Sequence, residues 1–70
     1  MKLQGSTLGE RLKSARPRDM SMESVAYTLG VAPRTVSRWE RDETEPSVSQ
    51  ANELAKLYGV ALAELLGEQN

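Results

Sequence analysis

Arg34, Arg38 and Arg41 recur at spacings of four and three residues, with Ser37 beside them. On an α-helix such spacing gathers side chains on one face. A guanidinium presents a planar fork of N–H donors that fits a pair of acceptors, such as guanine O6 and N7 or phosphate oxygens. No acid lies between Gly30 and Glu40 to neutralise these cations. The chemistry on offer is therefore recognition of acceptors and anions, not bond making. With no cysteine and no histidine, disulfides, thiolate metal sites and imidazole ligands are excluded. The remaining carboxylates, lysines and hydroxyls include no pair spaced like a catalytic site. We expect no enzyme, no cofactor and no metal. There is neither an apolar run of about eighteen residues nor a basic-then-apolar leader, so the expected compartment is the cytoplasm.

The net charge of −1 hides a segregation. Residues 1–41 hold eight basic and four acidic side chains, a net of +4, whereas residues 42–70 hold one and six, a net of −5. One end of the molecule can then be positive while the total stays near zero.

The elements that must position the arginines are short helices with clear punctuation. Thr7 and Glu10 have the spacing of a capping box, followed by Leu8, Leu12 and Ala15, and Pro17 stops that helix near Arg16. Ser21 caps a second helix, whose apolar face (Met22, Val25, Ala26, Leu29) runs to Gly30. Pro33 opens a third, since a missing N–H costs nothing at a first helical position. Ser47 and Gln50 form another capping box, with Ala51, Leu54, Ala55 and Leu57 or Tyr58 inward and Gly59 closing. A last helix runs from about Leu62 to Leu66 and ends at Gly67. No alternating run long enough for a strand interrupts the series. The expected fold is all-α: a single domain over residues 1–70, core about 7–67, with fraying confined to Met1–Gly5 and Glu68–Asn70. Seventy residues without staples should be stable by only about 3–5 kcal/mol.

Helices two and three, joined by a short glycine turn, can cross steeply only if a small residue sits at the crossing. Ala26 is that residue, and Val36 can fill the space beneath; Val25, Leu29, Gly30, Val31 and Trp39 complete a helix-turn-helix pattern. At this level the chain resembles the phage-repressor and Cro family of helix-turn-helix regulators, often called XRE-type. The similarity runs from about Leu8 to Leu66, through "LGERLKSAR", "VAYTLGVAPRTVSRWE" and "LAKLYGVALAELL". It implies a compact five-helix domain of the lambda-repressor-like type that binds double-stranded DNA with helix three in the major groove.

At about 100° per residue, Val36, Trp39 and Glu40 fall on one side of helix three, and Arg34, Ser37, Arg38 and Arg41 on the other. By resemblance, Pro33, Arg34, Ser37 and Arg38 are the base-reading candidates, Pro33 through apolar contact alone. Thr35 on the flank and Arg41 at the helix end suit phosphates. The family usually places at position 22 a glutamine that bonds a phosphate. Here Met22 has only its backbone N–H to offer at the helix N-terminus, with Ser21 and Ser24 as side-chain substitutes. Two further departures are Asp42, where glycine is usual, and Ala32, where a hydroxyl cap is usual. Arg16 and Glu40 resemble a structural salt bridge joining helices one and three. Val60, Leu62, Leu65 and Leu66 are candidates for pairing two copies into a weak dimer completed on DNA.

The resemblance implies a sequence-specific transcriptional regulator, with repression the preferred direction, on a short palindromic operator. Two alternatives stay open at this stage. One is an antitoxin or immunity-type protein-interaction module that keeps the fold; the other is the DNA-binding domain of a longer regulator.

Overall fold

The computed structural model describes Gly5 and residues 7–67, so the end segments expected to fray lie, Gly5 apart, outside the described residues. It contains five helices, α1 (Leu8–Ala15), α2 (Met22–Leu29), α3 (Pro33–Glu40), α4 (Val48–Tyr58) and α5 (Leu62–Leu66). Local chemistry sets most of their ends. Thr7 and Glu10 close a reciprocal capping box on α1, the Glu10 N–H donating to Thr7 Oγ1 at 3.1 Å and the Thr7 N–H to Glu10 Oε1 at 3.2 Å. Ser47 and Gln50 repeat it on α4, and the Ser21 hydroxyl accepts from the Ser24 N–H at 3.1 Å on α2. Arg16, before Pro17, is extended and ends α1. Ala32 offers no side-chain cap, and Pro33 makes the first turn of α3 need one donor partner fewer.

Helices α2, α3 and α4 end in the same way. In each, a left-handed residue closes the helix, directly after it in α2 and α4 and one residue later, past Arg41, in α3. Its N–H returns to a carbonyl three residues back, and the next N–H returns five back. Gly30 with Val31 closes α2 on Tyr27 and Ala26, and Gly59 with Val60 closes α4 on Lys56 and Ala55. For α3 the pair is Asp42 with Glu43, returning to Trp39 at 3.2 Å and Arg38 at 3.0 Å. Asp42 thus sits at φ 61°, the one non-glycine with positive φ among the described residues. Val31 and Val60 then pack on the core, whereas Glu43 stays exposed.

The core gathers Leu12 from α1, Val25 and Ala26 from α2, Val36 and Trp39 from α3, Leu54, Ala55 and Tyr58 from α4, and Leu65 from α5. α3 packs against both α1 and α2, and α5 packs against α1 and α4. Leu65 has no exposed surface, because docking α5 turns it fully inward. It is therefore a core residue and not part of a pairing surface. Val60 and Leu62 are half-buried against the same cluster, and Leu66 keeps 41% of its surface exposed. Arg11 ties α5 to α1 by donating from Nε to the Leu65 carbonyl at 2.6 Å.

Gly9 permits a close approach between α1 and the end of α3. A Cβ there would lie 2.7 Å from the carbonyl oxygens of both Trp39 and Glu40. In an ordinary helix interior, Gly→Ala stabilises by about 1 kcal/mol. Here the sign should reverse, because the new methyl meets backbone of the helix that carries the arginines. Gly9→Ala is expected to destabilise by about 1–3 kcal/mol, read from the urea midpoint at unchanged m-value. A midpoint at or above that of the parent protein would show that α1 and α3 can part at no cost.

Candidate nucleic-acid interface

α3 is held by its buried side and displays the other. Val36 and Trp39 retain 1% and 3% of their surface, anchoring the helix on the core. Pro33, Arg34, Arg38 and Arg41 are exposed, while Ser37 and Thr35 are half-buried. The four exposed residues lie on α3 or its cap, so one rigid element carries them all. The arrangement suits a convex, cationic helix face entering a groove of matching width; an α-helix fits the B-DNA major groove.

Two contacts to α1 fix the angle at which that face is offered. At one end of α1, Arg16 Nε lies 2.8 Å from Glu40 Oε2, and its Nη1 donates to the Met20 carbonyl at 2.9 Å. The Glu40 side chain is 7% exposed and that of Arg16 22%, so this pair is largely removed from water. Tyr58 is buried beside it. Burial, and then the Glu40 carboxylate, push its phenol up to about 12. At the other end of α1, Asp42 accepts from the Thr7 hydroxyl at 2.6 Å and from the Gly9 N–H at 2.9 Å. These two bonds, Thr7 first, hold the Asp42 carboxyl below its ordinary value. Sequence reasoning recorded Asp42 only as a departure from glycine. Its partners are 35 and 33 residues away, so no local signal pointed to them.

At the start of α2, Ser21 and Ser24 are exposed. The Ser21 oxygen already caps the helix, leaving its proton to give. The Met22 side chain is half-buried and packs against the core, so that position offers backbone alone. At the far end of α3, Glu43 lies within ion-pair distance of both Arg38 and Arg41, at 3.9 Å and 3.4 Å. No group of carboxylates able to hold a metal ion occurs among the described residues. No helix among them is long and apolar enough to cross a membrane.

A five-helix domain with a capped helix-turn-helix and an outward arginine face defines a class. Residues 10–65 match the helix-turn-helix family, and the chain belongs to it. It is similar to the cryptic phage CTXphi transcriptional repressor RstR of Vibrio cholerae, at 37% identity over 51 residues, which is 73% of this chain and 46% of that protein. The chain thus spans less than half the length of this relative. Its fold matches the crystal structure of the P22 c2 repressor in complex with a synthetic operator, with TM-score 0.82 and 27% identity over 93% of this chain and all of that one.

Proposed function

We propose that this chain is a sequence-specific, double-stranded-DNA-binding transcriptional regulator of the repressor type, acting in the cytoplasm. The observation that carries this reading is the arginine face of α3, held outward by buried Val36 and Trp39. Arg34 and Arg38 read base edges, with Ser37 and Pro33 completing the contact. Arg41 and Thr35, with Ser21, Ser24 and the Met22 backbone at the start of α2, meet phosphates. Arg16 and Glu40 set the helix angle and take no part in reading. Residues 1–70 act as one DNA-binding domain, alone or within a longer regulator. Likeness to a repressor, and to another in complex with a synthetic operator, supports DNA as partner over a protein-interaction module.

One recognition helix covers only about four or five base pairs, so two copies are needed, with their helices in successive major grooves about 34 Å apart. Leu66, with half-buried Val60 and Leu62, is the apolar surface that α5 and the turn before it leave for pairing. It falls well below the roughly 1,200 Å² of a stable interface. The free protein should therefore be monomeric at micromolar concentration and pair on the operator. Selection of bound duplexes from a random pool tests the function, and titration of one half-site against the full palindrome tests the pairing. The expected results are an enriched palindrome and cooperative binding to it. A pool that stays random after selection overturns the regulator reading, and equal affinity per half-site at every spacing overturns the dimer.

A further inference from the structure

Glu43 presents one carboxylate to two arginines, and the atoms that meet it differ. Arg38 faces it through Nε, at 3.9 Å from Oε1. Arg41 faces it through a terminal nitrogen, Nη1, at 3.4 Å from Oε2. The Arg41 Nε is turned back to the Ser37 carbonyl at 3.4 Å. An arginine reads guanine with its N–H fork, and pairing at Nε leaves both terminal nitrogens of Arg38 open. A phosphate oxygen, by contrast, would compete for the same Arg41 nitrogen that Glu43 holds. The carboxylate is also well placed to persist there. Its backbone is pinned by the N–H bond to the Arg38 carbonyl at 3.0 Å, and the neighbouring Asp42 carboxylate is turned away onto α1. An acid just past a helix C-terminus is opposed by the helix dipole, and its pairs with Arg38 and Arg41 offset that cost.

We propose that Glu43 is a specificity-determining positioning residue: it steadies the base-reading arginine, Arg38, while competing with phosphate for Arg41. The inference rests on the DNA-reading assignment of α3 given above. On any duplex, a phosphate oxygen that takes the Arg41 nitrogen facing Glu43 competes with that carboxylate, so binding that relies on phosphates alone is weakened. On the operator, Arg38 keeps Glu43 at its Nε while its terminal nitrogens meet the base, and the pair gains strength as water leaves. Glu43 thus widens the gap between operator and random sequence without touching a base itself.

The test compares the parent protein, Glu43→Gln, Arg41→Ala and the double variant on the selected operator and on a scrambled duplex of equal length, each across a potassium chloride series. Glu43 is exposed, so these variants should fold. Glu43→Gln should bind the scrambled duplex about fivefold tighter, the size of one exposed ion pair. Its salt slope there should steepen by up to about one unit. Operator affinity should change less, because lost steadying of Arg38 offsets the freed Arg41, so the operator-to-scrambled ratio falls. In the Arg41→Ala background, adding Glu43→Gln should leave scrambled binding unchanged. An unchanged or increased ratio, or tightening that persists without Arg41, makes Glu43 a general repeller and overturns the inference alone. A parent protein with no preference for any duplex overturns the DNA reading and this inference with it.

Discussion

Arg16→Met should cost about 3 kcal/mol of folding stability, the low end of the range for stripping one partner from a buried ion pair. The loss would come from what remains. Glu40, with 7% of its side chain exposed, keeps its charge and loses the guanidinium 2.8 Å away. The Met20 carbonyl loses its donor as well. Methionine keeps most of the apolar stem of arginine, out to the position of Nε, so packing should contribute little to the effect. Against a total of about 3–5 kcal/mol for a domain of this size, such a loss would leave much of the protein unfolded near body temperature. The accompanying change is Glu40→Leu in the same chain. Removing both charges abolishes the uncompensated carboxylate, and replacing a whole buried pair by apolar residues is often neutral. The double variant should therefore be more stable than Arg16→Met alone, with a coupling of about 1–3 kcal/mol in urea denaturation. If Arg16→Met lies within about 1 kcal/mol of the parent, the pair is behaving as a surface contact and does not fix α3.

The contrast between this pair and the Asp42 cap shows where sequence reading succeeds. Signals confined to one turn were legible: Thr7 with Glu10, Ser47 with Gln50, Ser21, Pro33 and the glycines at 30, 59 and 67 are all at helix ends in the structure. Each works through atoms at most five residues apart, within reach of a spacing rule. The buried side of α3 was legible for the same reason, since helical period alone separates Val36 and Trp39 from Arg34 and Arg38. Contacts between distant segments were not, apart from Arg16 with Glu40, which the family resemblance and not a spacing rule supplied. Nothing near Gly9 says that its missing Cβ makes room for the Trp39 and Glu40 carbonyls. Nothing near Asp42 says that its carboxylate caps another helix. Leu65 was misread because a five-residue helix has too few positions to separate an inward face from an outward one by period. Leu65 and Leu66 are neighbours in sequence, yet one is fully buried and the other is 41% exposed. Docking of α5 on α1, through Arg11 and the Leu65 carbonyl, decides which leucine is which. The site residues follow the same division. The exposure of Arg34, Arg38 and Arg41 was readable from the helix they share, whereas the link of Glu43 to Arg38 and Arg41 depends on how the chain leaves that helix.

The arginines of α3 should separate by the kind of DNA contact that each makes. Arg34→Ala and Arg38→Ala should each weaken operator binding by about 1–3 kcal/mol, roughly ten- to a hundredfold, and relax preference at one base pair apiece. The two residues lie one helical turn apart, so they meet neighbouring base pairs and their losses need not add. Together they should bring the operator close to random duplex, because only the weaker base contacts of Ser37 and Pro33 and the phosphate contacts would remain. Folding should be unaffected, as both side chains are exposed and the anchors of the helix, Val36 and Trp39, are untouched. Arg41→Ala should behave differently, weakening operator and random duplex alike and flattening the dependence of log affinity on log salt by about one unit. The distinction follows from position. Arg34 and Arg38 lie in the first turn and middle of α3, the part that the proposed docking lays in the groove, whereas Arg41 is its cap residue, which that docking leaves to a phosphate. Selection from a random pool with each variant, followed by salt titration on the selected duplex, reads both effects. Should Arg34→Ala and Arg38→Ala both return the parent sequence preference, base reading lies elsewhere on the domain and α3 serves as an electrostatic anchor.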